Sequence, residues 1–321
     1  MKIDLVRRMF PVSMLVLGAG VVCGQDYPNK PIRLVTNDAV GGSSDLVARI
    51  VSQGLAGRLG QQLIVDNRGG GANISGEIVA KARSDGYTLL VSSGALWTGP
   101  LMGQAPYNAV RDFSPIVLTN RSVLLLTMHP SVPVNSVSEL IAYCKAKPGE
   151  LSYASSGNGA ASHLAGELFK SMAGVDILRV PYKGAGLATV DLLSGRVQLS
   201  FFTATSVIPH IKSGRLTALA VTGAEPSVLF PGLPTIAASG VPGYESTQMY
   251  GVFAPAGTPA SLVSRLNHEI VQVLGQADVK EKFLNVGSET VGSTPQELAA
   301  TMKSEINRLG KLIRDAGIRS E

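Results

Sequence analysis

Cysteine, aromatic side chains and recognisable cofactor motifs are all scarce in this sequence. It holds two cysteines and one tryptophan in 321 residues, and aromatics make up 5% of it. If Cys23 leaves with an export signal, as argued below, Cys144 stands alone and no internal disulfide can form. Cys144 follows Leu140 and Ile141 by three to four residues, on one helical face, so a buried core thiol is expected there rather than a nucleophile. The glycine-rich loops lack the G-x-G-x-x-G spacing of a dinucleotide fold and the Gly-Lys-Ser/Thr ending of a P-loop. There is no G-x-S-x-G elbow, no H-E-x-x-H, no C-x-x-C and no Asp-rich calcium loop. His129, His163, His210 and His268 are scattered. Neither a metal, a cofactor nor a catalytic residue is therefore expected.

What is present begins with an export pattern. Lys2, Arg7 and Arg8 precede the apolar stretch "MFPVSMLVLGAGVV", which has the length of a signal-peptide core and is short for a membrane span. Cleavage after Gly24 leaves 297 residues and lowers the formal charge from +5 to +3. A charge that small makes no case for nucleic acid. Acylation at Cys23 is the alternative, but Val22 before it is bulkier than such sites take, so a soluble exported chain is expected.

Beyond residue 24, short apolar runs alternate with helical patterns. "IRLVT", "QLIVDN", "YTLLVSS", "SVLLLTM", "LSYASS", "DILRVPY", "VQLSFFTA", "LTALAVTG" and "MYGVFAP" read as strands. Between most of them lie amphipathic segments; in the first, Leu46, Val47, Ile50, Val51 and Leu55 form one stripe. Ser136 with Glu139, and Thr294 with Glu297, spell capping boxes, and Pro295 suits a first helical position. Such alternation predicts parallel α/β sheets. About ten strands are many for one open sheet, so two lobes are expected, with "SVLLLTM" and "MYGVFAP" as the crossings. Lobe 1 is assigned residues 25–126 and 250–321, and lobe 2 residues 127–249.

Two loops share one grammar. "IRLVTNDAVGGSSDLVAR" and "LSYASSGNGAASHLAGEL" are each strand, small-residue loop, helix. Glycines let backbone N–H groups converge at a helix start, which carries unsatisfied donors and partial positive charge. Gly41, Gly42, Ser43 and Ser44 are candidates in the first loop; Ser156, Gly157, Asn158, Gly159, Ser162 and His163 are candidates in the second. Each loop alone reads equally as an ordinary capped turn. Their matched form in two lobes favours a ligand cleft, since such sites gather at the C-terminal ends of parallel strands. A charged hydrogen bond contributes roughly 1.5–3 kcal/mol, and micromolar binding needs about 8 kcal/mol, so three or four main-chain and hydroxyl donors suffice for a carboxylate.

The blocks "YPNKPIRLV", "GGSSDLVARI", "LGQQLIVDNRGGGANISGEIVAKARSDGYTLL", "YNAVRDFSPI", "VPYKGAG" and "GVFAPAGTP", in that order, resemble the Bug proteins, the extracytoplasmic solute receptors of tripartite tricarboxylate transporters. The likeness runs from Tyr27 to about Ile318. It implies a two-lobed periplasmic-binding-protein fold of type II, each lobe a mainly parallel sheet flanked by helices. It further implies hinge closure on a small carboxylated solute and partnership with membrane transporter subunits; a receptor that signals through a membrane sensor is an alternative reading of its role. Carried onto this chain, the gripping loops are Ala39 to Ser44 (with Val40) and Ser156 to His163 (with Ala160). Ser93, Tyr182 and Thr203 complete the candidate ligand contacts, and Lys183 is expected to be a solvated turn lysine.

This chain departs from the family pattern at Thr36, Asn37 and Asp38, where a proline, an aromatic and a small residue are usual, and at Phe202 and Thr203, which replace an Asp-Asn pair. Asp38 is the sharpest change. Unit charges 4 Å apart interact by about 4 kcal/mol at an effective dielectric near 20. A citrate would be repelled, whereas an ammonium group would be attracted. An amino acid such as aspartate or glutamate is the favoured solute if Asp38 faces it. The other reading is that Asp38 points to solvent or caps a local turn.

Overall fold

A computed structural model describes residues 27–315 and 318, apart from 39, 70, 71, 104, 158 and 183. The expected signal segment 1–24, with Cys23, lies outside the described residues.

The chain opens with β1 (Ile32–Thr36), α1 (Ser43–Leu59), β2 (Leu63–Asn67), α2 (Ala72–Ala80), β3 (Thr88–Ser93) and α3 (Ala95–Met102). It then crosses through the long β4 (Phe113–Met128) into α4 (Val137–Ala146), β5 (Ser152–Ser155), α5 (Ala161–Ala173), β6 (Leu178–Pro181), α6 (Ala185–Leu193), β7 (Leu199–Thr203), α7 (Ala204–Lys212) and β8 (Thr217–Val221). It returns through β9 (Thr247–Pro255) to α8 (Ala260–Leu274), α9 (Ala277–Asn285), β10 (Glu289–Thr290) and α10 (Pro295–Asp315).

The strands form one curled sheet in the order β2-β1-β3-β9-β4-β7-β5-β6, with β8 and β10 also paired to β4. β1 pairs in parallel with β2 and β3, and β5 with β6 and β7. These are the βα units, in which a helix carries the chain back to start the next strand in the same direction. The crossings are antiparallel instead. β9 runs against β3 and β4, and β4 runs against β7 and β8. β4 changes partners along its length: Phe113 to Val123 lie against β9, and Leu124 to Met128 against β7 and β8. One strand thus belongs to both halves of the sheet.

Of β4 the sequence marks only the second half, "SVLLLTM", and the structure starts that strand at Phe113. Its first half escapes a hydrophobicity reading because it carries buried polar residues. They are accommodated by pairing: Thr119 Oγ1 donates to the Tyr250 carbonyl at 2.9 Å, and Asn120 Nδ2 donates to Ser288 Oγ at 2.6 Å.

Local signals elsewhere act as written. Glu139 N–H donates to Ser136 Oγ at 3.1 Å. Thr294 N–H donates to Glu297 Oε2 at 2.8 Å while Glu297 N–H donates to Thr294 Oγ1 at 3.2 Å, the reciprocal bonds of a capping box. Cys144 is buried in the second half's core, and desolvation pushes its thiol up to about 11.

The last helix joins the two halves. Leu298 and Met302 pack under β9 in the first half, whereas Leu309, Leu312 and Ile313 belong to the core of the second. Residues 250–321 are assigned by sequence to lobe 1, but α10 serves both. Its 21 residues make a rod of about 30 Å, and its single apolar stripe is long enough to reach both cores.

Candidate functional site

Within each half the parallel strands end, and their helices begin, at one end, and the two sets of ends face each other near the middle of β4: Ser93 of β3 is level with Tyr250 and Asn120, and Thr203 of β7 with Leu124. A cavity of about 580 Å³ opens there, walled by both halves. Five helix N-termini meet at it: Gly42 and Ser43 of α1, Gly94 and Ala95 of α3, Ala160 and Ala161 of α5, Gly184 and Ala185 of α6, and Thr203, Thr205 and Ser206 of α7. Each terminus brings unsatisfied N–H groups and about half a positive charge. Helix starts of this kind can hold an anion through main-chain N–H groups.

The α1 terminus is a special case, because the chain's own carboxylates occupy it. Ser44 N–H donates to Asp38 Oδ2 at 2.7 Å, and the Asn37 amide donates to Asp38 Oδ1 at 3.3 Å. Gly41 N–H donates to Asp45 Oδ2 at 2.8 Å. Burial pushes the Asp45 carboxyl up, but bonds from Arg49, the Gly41 N–H and Asn67 outweigh it and hold the group below its usual range. Asp38 therefore caps its own helix and at the same time lines the cavity. Among the described residues, the other charged residues of the wall are Glu305 and Arg308 of α10. They neutralise each other at 2.9 Å, and Arg308 Nη1 also donates to the Glu245 carbonyl at 2.7 Å.

In the second half, Ser156 N–H donates to Ser162 Oγ at 2.9 Å, and Gly159 N–H donates to His163 Nδ1 at 2.9 Å. His163 is buried; desolvation and nearby Arg179 lower its pKa to about 4. It is neutral at physiological pH, with Nδ1 accepting and the proton on Nε2. No carboxylate from this half reaches the cavity wall among the described residues.

Of the residues singled out from sequence, Asp38, Gly42, Ser43, Ser93, Ser156, Gly159, Ala160, Ser162 and Thr203 lie together on the wall. Val40 is 75% exposed, and it and Gly41 stand off the wall. Ser44 is fully buried, its hydroxyl donating to Asn37 Oδ1 at 2.8 Å. Gly157 and His163 support the loop from behind. Tyr182 turns away to donate to Asp191 Oδ2 at 2.9 Å, with its hydroxyl pushed up to about 12 by burial and by that acid. Ala39, Asn158 and Lys183 lie outside the described residues.

Sequence reading picked Ser93, Tyr182 and Thr203 from the loops before α3, α6 and α7 but did not read those helix starts as anion sites, although "VSSGAL", "VPYKGAG" and "FFTATS" repeat the strand, small-residue, helix grammar. Trp97, which also lines the cavity, and the Glu305–Arg308 pair carry no local signal.

The profile of the tripartite tricarboxylate transporter family receptor matches residues 47–318. This chain belongs to that family. The receptor is 35% identical over 321 residues to protein BugT of Bordetella pertussis, covering 98% of each chain. Its fold matches the solved R. palustris Rpa4515 with adipate at 37% identity and TM-score 0.80, over 92% of this chain and 99% of that one. It also matches the periplasmic binding protein BugD at 32% identity and TM-score 0.77, over 92% and 100%. The receptor is thus a two-lobed periplasmic-type solute-binding protein and not an enzyme. Its family works with a membrane transporter. No described helix is long and apolar enough to cross a membrane.

Proposed function

We propose that this receptor captures a small amino acid, aspartate or glutamate by preference, in the cavity between its lobes. The observation that carries this reading is Asp38: a carboxylate on the cavity wall at a helix start that would otherwise receive an anion. With the α1 terminus satisfied internally, the ligand's carboxylates fall to the α3, α5, α6 and α7 termini, and its ammonium to Asp38. A second reading, a receptor for di- or tricarboxylates, draws support from the adipate-bound relative and from the Ser44 N–H bond that already engages Asp38.

On the first reading the chain is exported by residues 1–24 and acts as a soluble periplasmic protein. Lobe 1 (25–126 and 250–321) closes on lobe 2 (127–249), and the loaded receptor delivers its solute to the transporter subunits rather than to a membrane sensor. Calorimetry of the unliganded receptor with L-aspartate, L-glutamate, adipate and citrate tests the choice of solute. The amino acids are expected to bind in the micromolar range or tighter. Tighter binding of adipate or citrate than of either amino acid would establish the second reading instead.

A further inference from the structure

One contact between the lobes reaches the solute loop without touching the cavity. Met102 ends α3, in the first half of the sheet, yet it packs with Leu101 against the core of the second half. Its thioether bears on Gly159, where an added methyl group would overlap Sδ and Cε. Gly159 lies at φ +68°, in the left-handed region that favours glycine, so both its backbone and its missing side chain suit this position. Gly159 lines the cavity, and Met102 does not.

We propose that Met102 is a positioning residue for the solute loop, tying the backbone conformation at Gly159 to the separation of the lobes. Among the described residues the loop's hydrogen-bonded supports come from its own half: Ser162 holds the Ser156 N–H, His163 holds the Gly159 N–H, and the Gly184 N–H donates to the Ser156 carbonyl. Met102, by contrast, comes from across the cleft. Any motion that parts α3 from α5 removes it from Gly159 and leaves the loop covered on one side fewer. A flexible, polarisable side chain suits a contact that must follow such motion. The claim does not depend on which solute is bound, so its failure and that of the amino-acid reading are separate results.

Amide hydrogen exchange by NMR on the unliganded full chain tests it, with the Gly159 N–H as reporter. The Leu140 N–H, which donates to the Ser136 carbonyl in α4, is the control within the same half. Met102→Ala is expected to speed exchange at Gly159 at least tenfold and to leave Leu140 unchanged. Met102→Leu, which refills most of the volume, is expected to return Gly159 to within threefold of the parent. An increase below threefold in Met102→Ala overturns the proposal. So does an equal increase at Leu140, which would mark general loosening, or an effect as large in Met102→Leu as in Met102→Ala.

Discussion

Replacing Asp38 with asparagine removes one charge from the cavity and almost nothing else. The asparagine side-chain oxygen can still accept the Ser44 N–H that Asp38 Oδ2 accepts at 2.7 Å, so the start of α1 keeps its cap. The helix loses the charge–dipole part of that contact, about 0.3–1 kcal/mol, and the loop loses the long 3.3 Å bond from the Asn37 amide to Asp38 Oδ1. For a ligand ammonium about 4 Å away, the Coulomb attraction is about 1 kcal/mol in water and about 4 kcal/mol at an effective dielectric of 20. Because the wall is open to solvent, the lower half of that interval applies, and Asp38→Asn should weaken L-aspartate roughly 5- to 70-fold. Adipate carries only negative groups, so the same substitution should tighten it by a similar factor. The opposite signs are what make the experiment decisive, since a general loss of fold or of cavity shape would weaken both. Titration calorimetry in low and in 0.5 M salt reads both effects, and added salt should shrink them. If Asp38→Asn leaves aspartate affinity within twofold, or moves aspartate and adipate in the same direction, the ammonium-facing role of Asp38 is refuted. Its carboxylate would then be a helix cap alone.

Two further outcomes follow from buried groups around the cavity. His163 has a folded pKa lowered to about 4 against 6.5 for the free side chain, so the unfolded chain takes a proton that the fold refuses. Stability is unaffected above pH 6.5, falls as pH drops through that value, and stops falling below about 4. The integrated loss is about 3 kcal/mol, of which about 2 lies between pH 7 and pH 5. Urea denaturation at those two pH values should show the drop in the parent and a smaller one in His163→Gln; equal drops in both would assign the pH dependence to other groups. Trp97 is the chain's single tryptophan and lines the cavity while only 2% exposed. Saturation with L-aspartate should shift the intensity or maximum of its emission along the calorimetric isotherm. A calorimetrically saturated receptor with unchanged emission would place the solute elsewhere.

Much of the architecture is legible before any coordinates. The strands of the βα units announce themselves as short apolar runs, and the helix starts as Ser136 with Glu139 and Thr294 with Glu297, because periodicity and capping act over a few residues. The first half of β4 is hidden because Thr119 and Asn120 look like loop residues until Tyr250 and Ser288, far along the chain, supply their partners. In the site, Gly42, Ser43, Ser156 and Ser162 could be picked out from glycine-rich loops that open helices. Ser44 and His163 carry the same local signature and yet serve as supports, because the path of each loop turns them inward.

Local physics thus determined from the sequence alone that this chain builds repeated βα units and leaves small-residue helix starts at the strand ends. Only the tertiary structure decided that five of those starts face one cavity, that α10 ties the two halves together, and that Met102 crosses to Gly159. It also decided that Asp38 can lie beside an anion cradle because its carboxylate sits in that cradle, bonded to the Ser44 N–H. These outcomes depend on the packing of distant segments and on how a loop folds back on its own helix, and neither is encoded in the pattern of neighbouring residues.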